Sequence, residues 1–286
     1  MTPGASDAHE VRAAQHRNWD AAAAGWKAWS AFNERAAAHI SARLVELAEV
    51  RPGSRVLDVA AGYGEPALTA AWAAGPGGRV VATDISAEML DFARERAVVS
   101  GITTLEFLQA DAASLAFAPA SFDAAVSRWG IIFEPDAEAA LQRVRGFLEP
   151  GARIAISSWG PAERVPFLWL PMATTTARLG LTPPPSGAPG PLSRTTPASL
   201  AALLNAGGFG DVVVEEHEVV YAFDSPAHFT DYVRAIAAPV RAMIRDHAGA
   251  DREGAWDAIT RAAAEHSGGN GPLRLSNAVL IASGTA

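Results

Sequence analysis

Hydrophobic positions between residues 54 and 160 recur with two alternating periods. Short apolar runs bounded by turn residues predict strands, and stretches with apolar residues every three or four positions predict helices. Nearly all-apolar strands that alternate with helices are typical of a parallel sheet covered on both faces. We expect strands at 55–60, 79–84, 105–109, 122–128 and 152–158, and helices at 65–74, 86–99 and 136–148.

The pattern differs on both sides of this region. Residues 1–10 read as a loose tail, and 11–49 read as helical with an interruption at Gly25. A proline-rich loop is predicted over 160–195, including the stretch PPPSGAPGP at 183–191. The remaining elements are predicted as helices at 197–206, 226–247 and 251–266, and strands at 211–223 and 273–283. The last two strands are therefore separated by a helical insert.

Composition narrows the possible functions. Hydrophobic residues make up 49% of the 286 residues, enough for a sizeable core, and the net charge of −8 with no basic run argues against a nucleic-acid partner. The absence of cysteine excludes disulfides and thiolate chemistry. The seven histidines show no ligand pair four residues apart on one helix, so no metal site is predicted. Without a signal peptide or membrane-length apolar run, we expect a soluble cytoplasmic protein.

In the stretch VLDVAAGYGEPAL at 56–68, a predicted buried strand ends with an acid, and the residues that follow are small and include two glycines. Ligands of parallel sheets bind outside the carboxyl ends of the strands, and Gly62 and Gly64 allow close approach to the main chain. A dinucleotide fits poorly, because the spacing does not continue as G-x-G-x-x-G and Asp58 would repel a pyrophosphate. A carboxylate at Asp58 instead favours a cationic group such as an amino-acid ammonium.

Two further acids end the next two predicted strands. Asp84 lies where a ribose hydroxyl is commonly bound, and Asp111 can accept a hydrogen bond from an exocyclic amine such as that of adenine. Ammonium, ribose and adenine together occur in S-adenosylmethionine.

The chain resembles class I S-adenosylmethionine-dependent methyltransferases, in particular the ubiquinone/menaquinone-biosynthesis-like branch that acts on small molecules. The resemblance covers residues 54 to about 160 and depends on VLDVAAGYGEPAL, VVATDISAEMLDFARERA, LEFLQADAASLAFAPASFDAAVSR and FLEPGARIAISSW. It implies an α/β, Rossmann-like, doubly wound and mostly parallel seven-stranded sheet. One departure is Ala60, where the family usually has its first glycine.

The resemblance also implies an organisation and a set of site residues. An N-terminal helical lid over 1–50 would precede a cofactor-binding core over 51–160. Residues 161–286 would carry the remaining strands, a substrate-binding loop at 160–195 and a lid-like insert at 225–270. The implied cofactor-binding residues are Trp26, Asp58, Ala60, Gly62, Gly64, Asp84, Ile85, Met89, Asp111, Ala112 and Ser127. Arg128 and Trp129 would border the active site.

Each of these assignments has a structural alternative. The three acids could cap their own turns, and Met89 could be simple core. Arg128 could be a solvated strand end rather than pairing with a carboxylate beside the site, and Trp129 could be core rather than a wall. Trp26 could bury an amphipathic helix, and Tyr63 could contact substrate or lie in its turn.

The expected acceptor is a small, partly apolar or aromatic metabolite, in keeping with secondary metabolism. Apolar stretches outside the common core, at 166–181 and in the insert, could line its pocket or form a homodimer interface. The methylated atom and the need for a base stay open. Two rival functions are a relative that keeps the cofactor only as a structural ligand and a nucleotide-dependent oxidoreductase.

Overall fold

The computed structural model describes residues 5–182 and 188–286, with side chains from residue 10 onward. The predicted proline-rich stretch at 183–191 falls partly outside the described residues.

A seven-stranded sheet forms the centre of the protein, in the order β3-β2-β1-β4-β5-β7-β6. The first five strands of that order are parallel, whereas β7 is antiparallel to both neighbours. The predicted Rossmann-like, mostly parallel sheet is confirmed. The strands are β1 (Arg55–Val59), β2 (Arg79–Asp84), β3 (Leu105–Gln109), β4 (Phe122–Arg128), β5 (Leu148–Trp159), β6 (Gly210–Phe223) and β7 (Leu273–Thr285).

Helices cover both faces of the sheet. They are α1 (Ala5–Ala28), α2 (Ser30–Leu47), α3 (Ala67–Ala74), α4 (Ala87–Val99), α5 (Ala137–Phe147), α6 (Pro166–Leu179), α7 (Pro197–Ala206), α8 (Pro226–Ile236), α9 (Ala238–His247) and α10 (Arg252–Ser267). Strands β1, β2 and β4 are buried along nearly their whole length, which explains their mostly apolar sequences.

The N-terminal region corrects two predictions. Helix α1 already begins at Ala5, within the predicted loose tail, and it continues through Gly25 to Ala28. Gly25 is not a helix break. A Cβ added there would lie 2.1 Å from the carbonyl oxygen of Ala235, so the glycine lets α1 cross closely over α8.

The predicted loop at 160–195 contains a helix. Helix α6 begins at Pro166, at the first helical position where a missing N–H costs nothing, and it tolerates Pro171 in its interior. Its buried side chains include Phe167 and Leu170, and α6 packs against α9 and α10. The proline-rich composition was a misleading signal because this helix derives its stability from packing.

The predicted insert between the last two strands is present as α8, α9 and α10. The single helix expected over 226–247 is divided at Ala237, because Pro239 fits only the first turn of a new helix.

Candidate functional site

The site lies at the carboxyl ends of β1, β2 and β4, where the strand order reverses between β1 and β4. The turn after β1 has left-handed backbone at Ala60, Gly62 and Gly64, with φ of 59°, 53° and 104°. An added Cβ at Gly62 would meet nothing within 4 Å, whereas one at Gly64 would lie 3.1 Å from Leu68. Gly62 therefore leaves backbone open to a ligand, and Gly64 permits tight packing of α3.

Ala60 carries backbone strain that a glycine would not. A left-handed conformation costs an L-residue roughly 1–2 kcal/mol, and glycine's larger unfolded-state entropy offsets only part of that. We expect Ala60→Gly to raise the free energy of unfolding by up to about 1 kcal/mol, as measured by denaturant unfolding. Ala61→Gly in the same turn, where φ is not positive, is the matched control and is expected to destabilise. A loss of stability in Ala60→Gly equal to that control would contradict this account of the turn.

Asp58 ends up buried beneath the turn without a hydrogen-bond partner. Its side chain is fully buried, and neither carboxylate oxygen makes a hydrogen bond of good distance and angle to any described residue, although the Ala67 amide lies nearby. Burial raises the pKa of Asp58 well above its usual range, although the nearby Ala67 amide and, to a smaller extent, the Arg128 charge oppose the rise. Because an unpaired buried carboxylate is costly, this residue fits a cationic group of a ligand.

Asp84 anchors the turn after β1 to the start of α4. Its Oδ2 accepts a hydrogen bond from the Gly62 amide and its Oδ1 accepts one from the Ser86 amide, both at 2.8 Å. Ser86, not Asp84, caps α4, since its Oγ accepts a hydrogen bond from the Met89 amide at 3.2 Å. An ionised carboxylate has about four acceptor sites, so Asp84 retains capacity for two hydroxyl donors. Burial raises the pKa of Asp84 to about 6.

Ile85 and Met89 lie beside Asp84. Ile85 is half-buried, and its carbonyl accepts a hydrogen bond from Gln109 at 3.2 Å. Met89 is buried in a small cluster with Ala23 and Tyr63, against which Trp26 packs. Met89 is therefore part of a packed cluster, as its structural alternative required, and this cluster lies on the glycine turn.

Asp111 caps the 3-10 turn that follows β3. Its Oδ1 accepts a hydrogen bond from the Ala113 amide at 2.9 Å, and its Oδ2 lies 3.2 Å from Nε of Arg12 on α1. Ala112 is buried in this turn. The same Arg12 nitrogen lies 3.4 Å from Glu134, a residue that the sequence did not single out. Burial, followed by the neighbouring Asp111, raises the pKa of Glu134 to about 7.

The raised pKa of Glu134 predicts a pH-dependent stability. A folded state that holds the proton more tightly than the unfolded chain gains stability below the unfolded pKa of about 4.3, and that gain is lost as pH rises through about 7. We expect the wild type to lose unfolding free energy, on the order of a few kcal/mol, between pH 4 and 7, relative to Glu134→Gln. Denaturant unfolding at several pH values measures this difference. Parallel pH curves for the two proteins would contradict the assignment.

Ser127 and Arg128 are the last two residues of β4, and their side chains have different hydrogen-bond partners. Ser127 Oγ donates to the Val59 carbonyl at 2.7 Å and accepts from the Ile131 amide at 3.1 Å, so it ties β4 to β1. Arg128 is buried rather than solvated. Its Nη2 donates to Glu34 Oε1 at 2.8 Å and to the Tyr63 phenol at 2.9 Å, and its Nη1 donates to Ser41 Oγ at 2.8 Å. The predicted pairing of Arg128 with a carboxylate is confirmed, and the partner is Glu34 on α2.

Trp129 begins a wall of aromatic rings. It has left-handed backbone with φ of 54°, and its ring stacks parallel on Trp159 with 4.3 Å between centroids. Tilted ring contacts continue from Trp159 through Phe167 to Tyr221, with centroid distances of 4.9 and 5.0 Å. Trp129 is half-buried, and its indole Nε1 has no acceptor among the described residues.

Helix α1 covers the turn from above. Trp26 stacks on Tyr63 with 5.8 Å between ring centroids, Asp20 accepts a hydrogen bond from Ser86 Oγ at 2.5 Å, and Arg12 reaches Asp111. One side chain of α1 thus reaches the neighbourhood of each of the three acids. The indole Nε1 of Trp26 is buried without an acceptor among the described residues.

The sequence did not identify Glu34, Arg12, Asp20 or Glu134 as parts of this site. Glu34 lies one turn away from Trp29 on a predicted helix, and nothing in its spacing marks it. Arg12, Asp20 and Glu34 reach the site only because α1 and α2 fold back over the ends of the strands, whereas Glu134 follows the short 3-10 turn after β4. Tyr63 carried a signal, since it lies between the two glycines, but the sequence left its role open.

Neither a candidate metal site nor a membrane-spanning helix is found among the described residues. No group of three or more metal-ligating side chains is present in 5–182 or 188–286. None of the helices in those ranges has the length and hydropathy needed to cross a membrane.

The sheet order, the glycine turn and an acid at the end of each of β1 and β2 are features that this protein shares with class I S-adenosylmethionine-dependent methyltransferase domains. The cofactor of this class is S-adenosylmethionine, and the unpartnered Asp58 carboxylate and the remaining acceptor capacity of Asp84 fit its ammonium and ribose.

Comparison with known proteins agrees with this class. A family model described as a methyltransferase domain matches residues 56–151. The ubiquinone/menaquinone biosynthesis C-methyltransferase UbiE of Pseudomonas putida is 38% identical over 113 residues, which are 39% of this chain and 44% of UbiE. The aklanonic acid methyltransferase DauC of a Streptomyces species is 37% identical over 116 residues, which are 41% of this chain and 53% of DauC. Residues 56–151 thus match a methyltransferase domain, and this part of the chain is similar to UbiE and DauC.

Similarity beyond that domain is structural. The match spans about half the length of the curated relatives, or less. A solved structure from Bacillus halodurans, described as a proposed methyltransferase, aligns over 86% of this chain and 97% of its own with a TM-score of 0.57 at 17% identity. This likeness shows the fold.

Proposed function

We propose that this protein transfers a methyl group from S-adenosylmethionine to a small, partly apolar or aromatic metabolite. The observation that supports the proposal most directly is Asp58, a fully buried carboxylate with no partner among the described residues, at the end of β1 beneath the glycine turn. A protein has little reason to keep such a group unless a ligand pairs with it.

Different residues of the chain would bind the different parts of the cofactor. Asp58 would hold the ammonium, with Ala60, Gly62 and Gly64 presenting open backbone to the methionine portion. Asp84 would accept the ribose hydroxyls. Ile85, Met89 and Ala112 would flank the ribose and adenine, while Asp111 would accept from the adenine amine. Ser127 would support this arrangement by fixing β4 against β1.

Helix α1 is the lid in this proposal. Arg12 pairs with Asp111 and Trp26 stacks on Tyr63, so α1 would lie over both the adenine end and the methionine end of the bound cofactor. Residues 1–50 then exclude water from the reacting centre.

When bound, the cofactor supplies a methyl group carried on a positively charged sulfur. The main task of the residues around it is to align the acceptor, and good alignment can contribute roughly 7–11 kcal/mol to lowering the barrier. The aromatic wall that begins at Trp129 favours a flat, apolar acceptor. The net charge of −8 disfavours an RNA or DNA acceptor.

The test is transfer of a labelled methyl group from S-adenosylmethionine to a panel of small acceptors, including flat hydroxylated aromatic compounds. The proposal predicts a labelled product together with S-adenosylhomocysteine. Tight cofactor binding without transfer to any member of the panel would favour a relative that keeps the cofactor only as a structural ligand.

A further inference from the structure

A buried polar triad lies beside the turn that the proposed function assigns to the cofactor. The phenol of Tyr63 donates to Glu34 Oε1 at 2.6 Å and accepts from Arg128 Nη2 at 2.9 Å. Arg128 also donates to Glu34, which closes the triad. Tyr63 itself lies between Gly62 and Gly64, so its backbone belongs to the turn and its side chain reaches towards α2.

The Tyr63 oxygen has one hydrogen-bonding position left. A phenol oxygen donates one hydrogen and has two acceptor lone pairs. The phenol hydrogen is donated to Glu34, and one lone pair accepts the hydrogen bond from Arg128. The second lone pair is therefore free to accept a hydrogen bond from an incoming hydroxyl. No other hydrogen bond to this oxygen is present among the described side chains.

The triad starts in the protonation states that a relay requires, and Arg128 keeps Glu34 a weak base until negative charge develops on the acceptor. Burial would raise the pKa of Glu34, but the Arg128 charge and hydrogen bond outweigh it and hold that pKa below its usual value. Burial raises the pKa of the Tyr63 phenol well above its usual range. At neutral pH the pair is therefore a carboxylate that can accept a proton and a phenol that has one to give.

Three buried donors without acceptors are carried by residues that adjoin this triad. They are the Nε1 atoms of Trp26 and Trp129 and the Nδ2 atom of Asn33. Trp26 stacks on the Tyr63 ring, the Arg128 guanidinium lies 5.4 Å from the Trp129 ring centroid, and Asn33 precedes Glu34 in α2. Unsatisfied donors on aromatic walls favour a flat ligand that bears oxygen atoms.

We propose that Tyr63 is a catalytic residue that takes the proton from a hydroxylated aromatic acceptor and passes its own proton to Glu34, so that the acceptor is methylated on oxygen. This inference rests on the proposed function. Arg128 is a positioning residue, because it fixes the orientation of both partners and stays close to the negative charge that develops on the acceptor oxygen.

The step balances in atoms and charge. The acceptor O–H bond breaks and its proton goes to the Tyr63 oxygen, while the former Tyr63 proton goes to Glu34. The electron pair left on the acceptor oxygen forms the bond to the methyl carbon, and the pair of the carbon–sulfur bond stays on sulfur. Arg128 keeps its charge throughout, with the developing phenolate replacing Glu34 as its negative partner.

The first test uses 4-nitrocatechol, whose absorbance reports ionisation of its hydroxyl group, in the presence of S-adenosylhomocysteine. We expect the wild type to bind this probe and to lower its apparent pKa by about one unit or more, since stabilising its anion by about 1.4 kcal/mol produces that shift. Tyr63→Phe keeps the ring stacked on Trp26 and is expected to abolish the shift. Glu34→Gln keeps a partner for the Tyr63 phenol but removes the charge, and is expected to abolish the shift as well.

The second readout is turnover of the same probe with S-adenosylmethionine. Both variants are expected to lose about 10²–10⁴-fold in kcat, with methylation of the wild-type product on oxygen. Equal probe ionisation in the wild type and Tyr63→Phe, no probe binding by the wild type, or a product methylated on carbon would overturn the inference.

Calorimetric titration of S-adenosylhomocysteine separates this inference from the proposed function. Binding that is unchanged in Tyr63→Phe, with the probe shift lost, supports the proton relay. Wild-type protein that does not bind the cofactor product would contradict the proposed function itself, whatever the probe does.

Discussion

Replacing Asp58 by Asn is expected to weaken S-adenosylmethionine binding and, at the same time, to stabilise the ligand-free protein. Asn matches the shape of Asp but cannot pair its charge with an ammonium. Truncating one partner of a buried charge pair costs about 2–5 kcal/mol, which is roughly thirtyfold or more in affinity. In the ligand-free protein the change removes a buried carboxylate that has no partner among the described residues, so the free energy of unfolding should rise.

The opposite signs of these two effects are diagnostic. If Asp58 served only to cap its own turn, Asp58→Asn would lower stability and leave affinity nearly unchanged. Asp123→Asn is a matched control at the other end of the sheet, where the carboxylate pairs with Arg55 on the surface. That variant is expected to keep full cofactor affinity. Calorimetry gives the affinities, and thermal unfolding without ligand gives the stabilities.

Replacing Arg128 by Met is expected to cause the largest loss of stability of any single change considered. The Arg128 side chain is 4% exposed and its partner Glu34 is 18% exposed. Removing Arg128 leaves Glu34 as an uncompensated charge in the interior, which typically costs 3–5 kcal/mol. The double variant Arg128→Met with Glu34→Gln should recover much of that loss, because the stranded charge is gone.

A surface ion pair provides the control for Arg128. Arg79 donates to both carboxylate oxygens of Glu106 at 2.8 Å, but these side chains are 45% and 57% exposed. Water screens such a pair, so Arg79→Met should cost less than about 1 kcal/mol. Equal destabilisation by Arg79→Met and Arg128→Met in urea unfolding would contradict the buried-network account.

The strands and most helices of the core were predictable because each has a local signal. Strands β1, β2 and β4 have mostly apolar centres, and Ser86 marks the start of α4 as a capping residue. The position of the glycine turn followed from the same pattern, since a turn after a buried strand in a parallel sheet can lie only at its carboxyl edge.

The remaining features depend on contacts between distant parts of the chain. Gly25 looked like a helix break, yet it is required by the close approach of Ala235, which lies 210 residues later by the difference of the two residue numbers. The prolines of α6 led to the prediction of a loop. The helix forms because it packs against α9 and α10, and these contacts cannot be read from its own sequence. Glu34 could not be assigned because only the folding of α2 onto β4 brings it to Arg128 and Tyr63.

For Asp111, the sequence predicted the position of the side chain but not its partners. Its position at the end of β3 was correct, and the sequence allowed both a capping role and an adenine contact. The structure has it capping the following turn and paired with Arg12, a residue far away on α1. Adenine recognition by Asp111 therefore stays a prediction, which would use the acceptor positions that Ala113 and Arg12 leave open.

The central claim is that the carboxyl edge of this sheet binds S-adenosylmethionine. The most direct measurement is calorimetric titration of S-adenosylmethionine and S-adenosylhomocysteine into the wild type and Asp84→Ala. Micromolar binding by the wild type that collapses in Asp84→Ala is the predicted result, because Asp84 both holds the Gly62 amide and faces the proposed ribose position. No binding by the wild type, or equal binding by both proteins, would contradict the account.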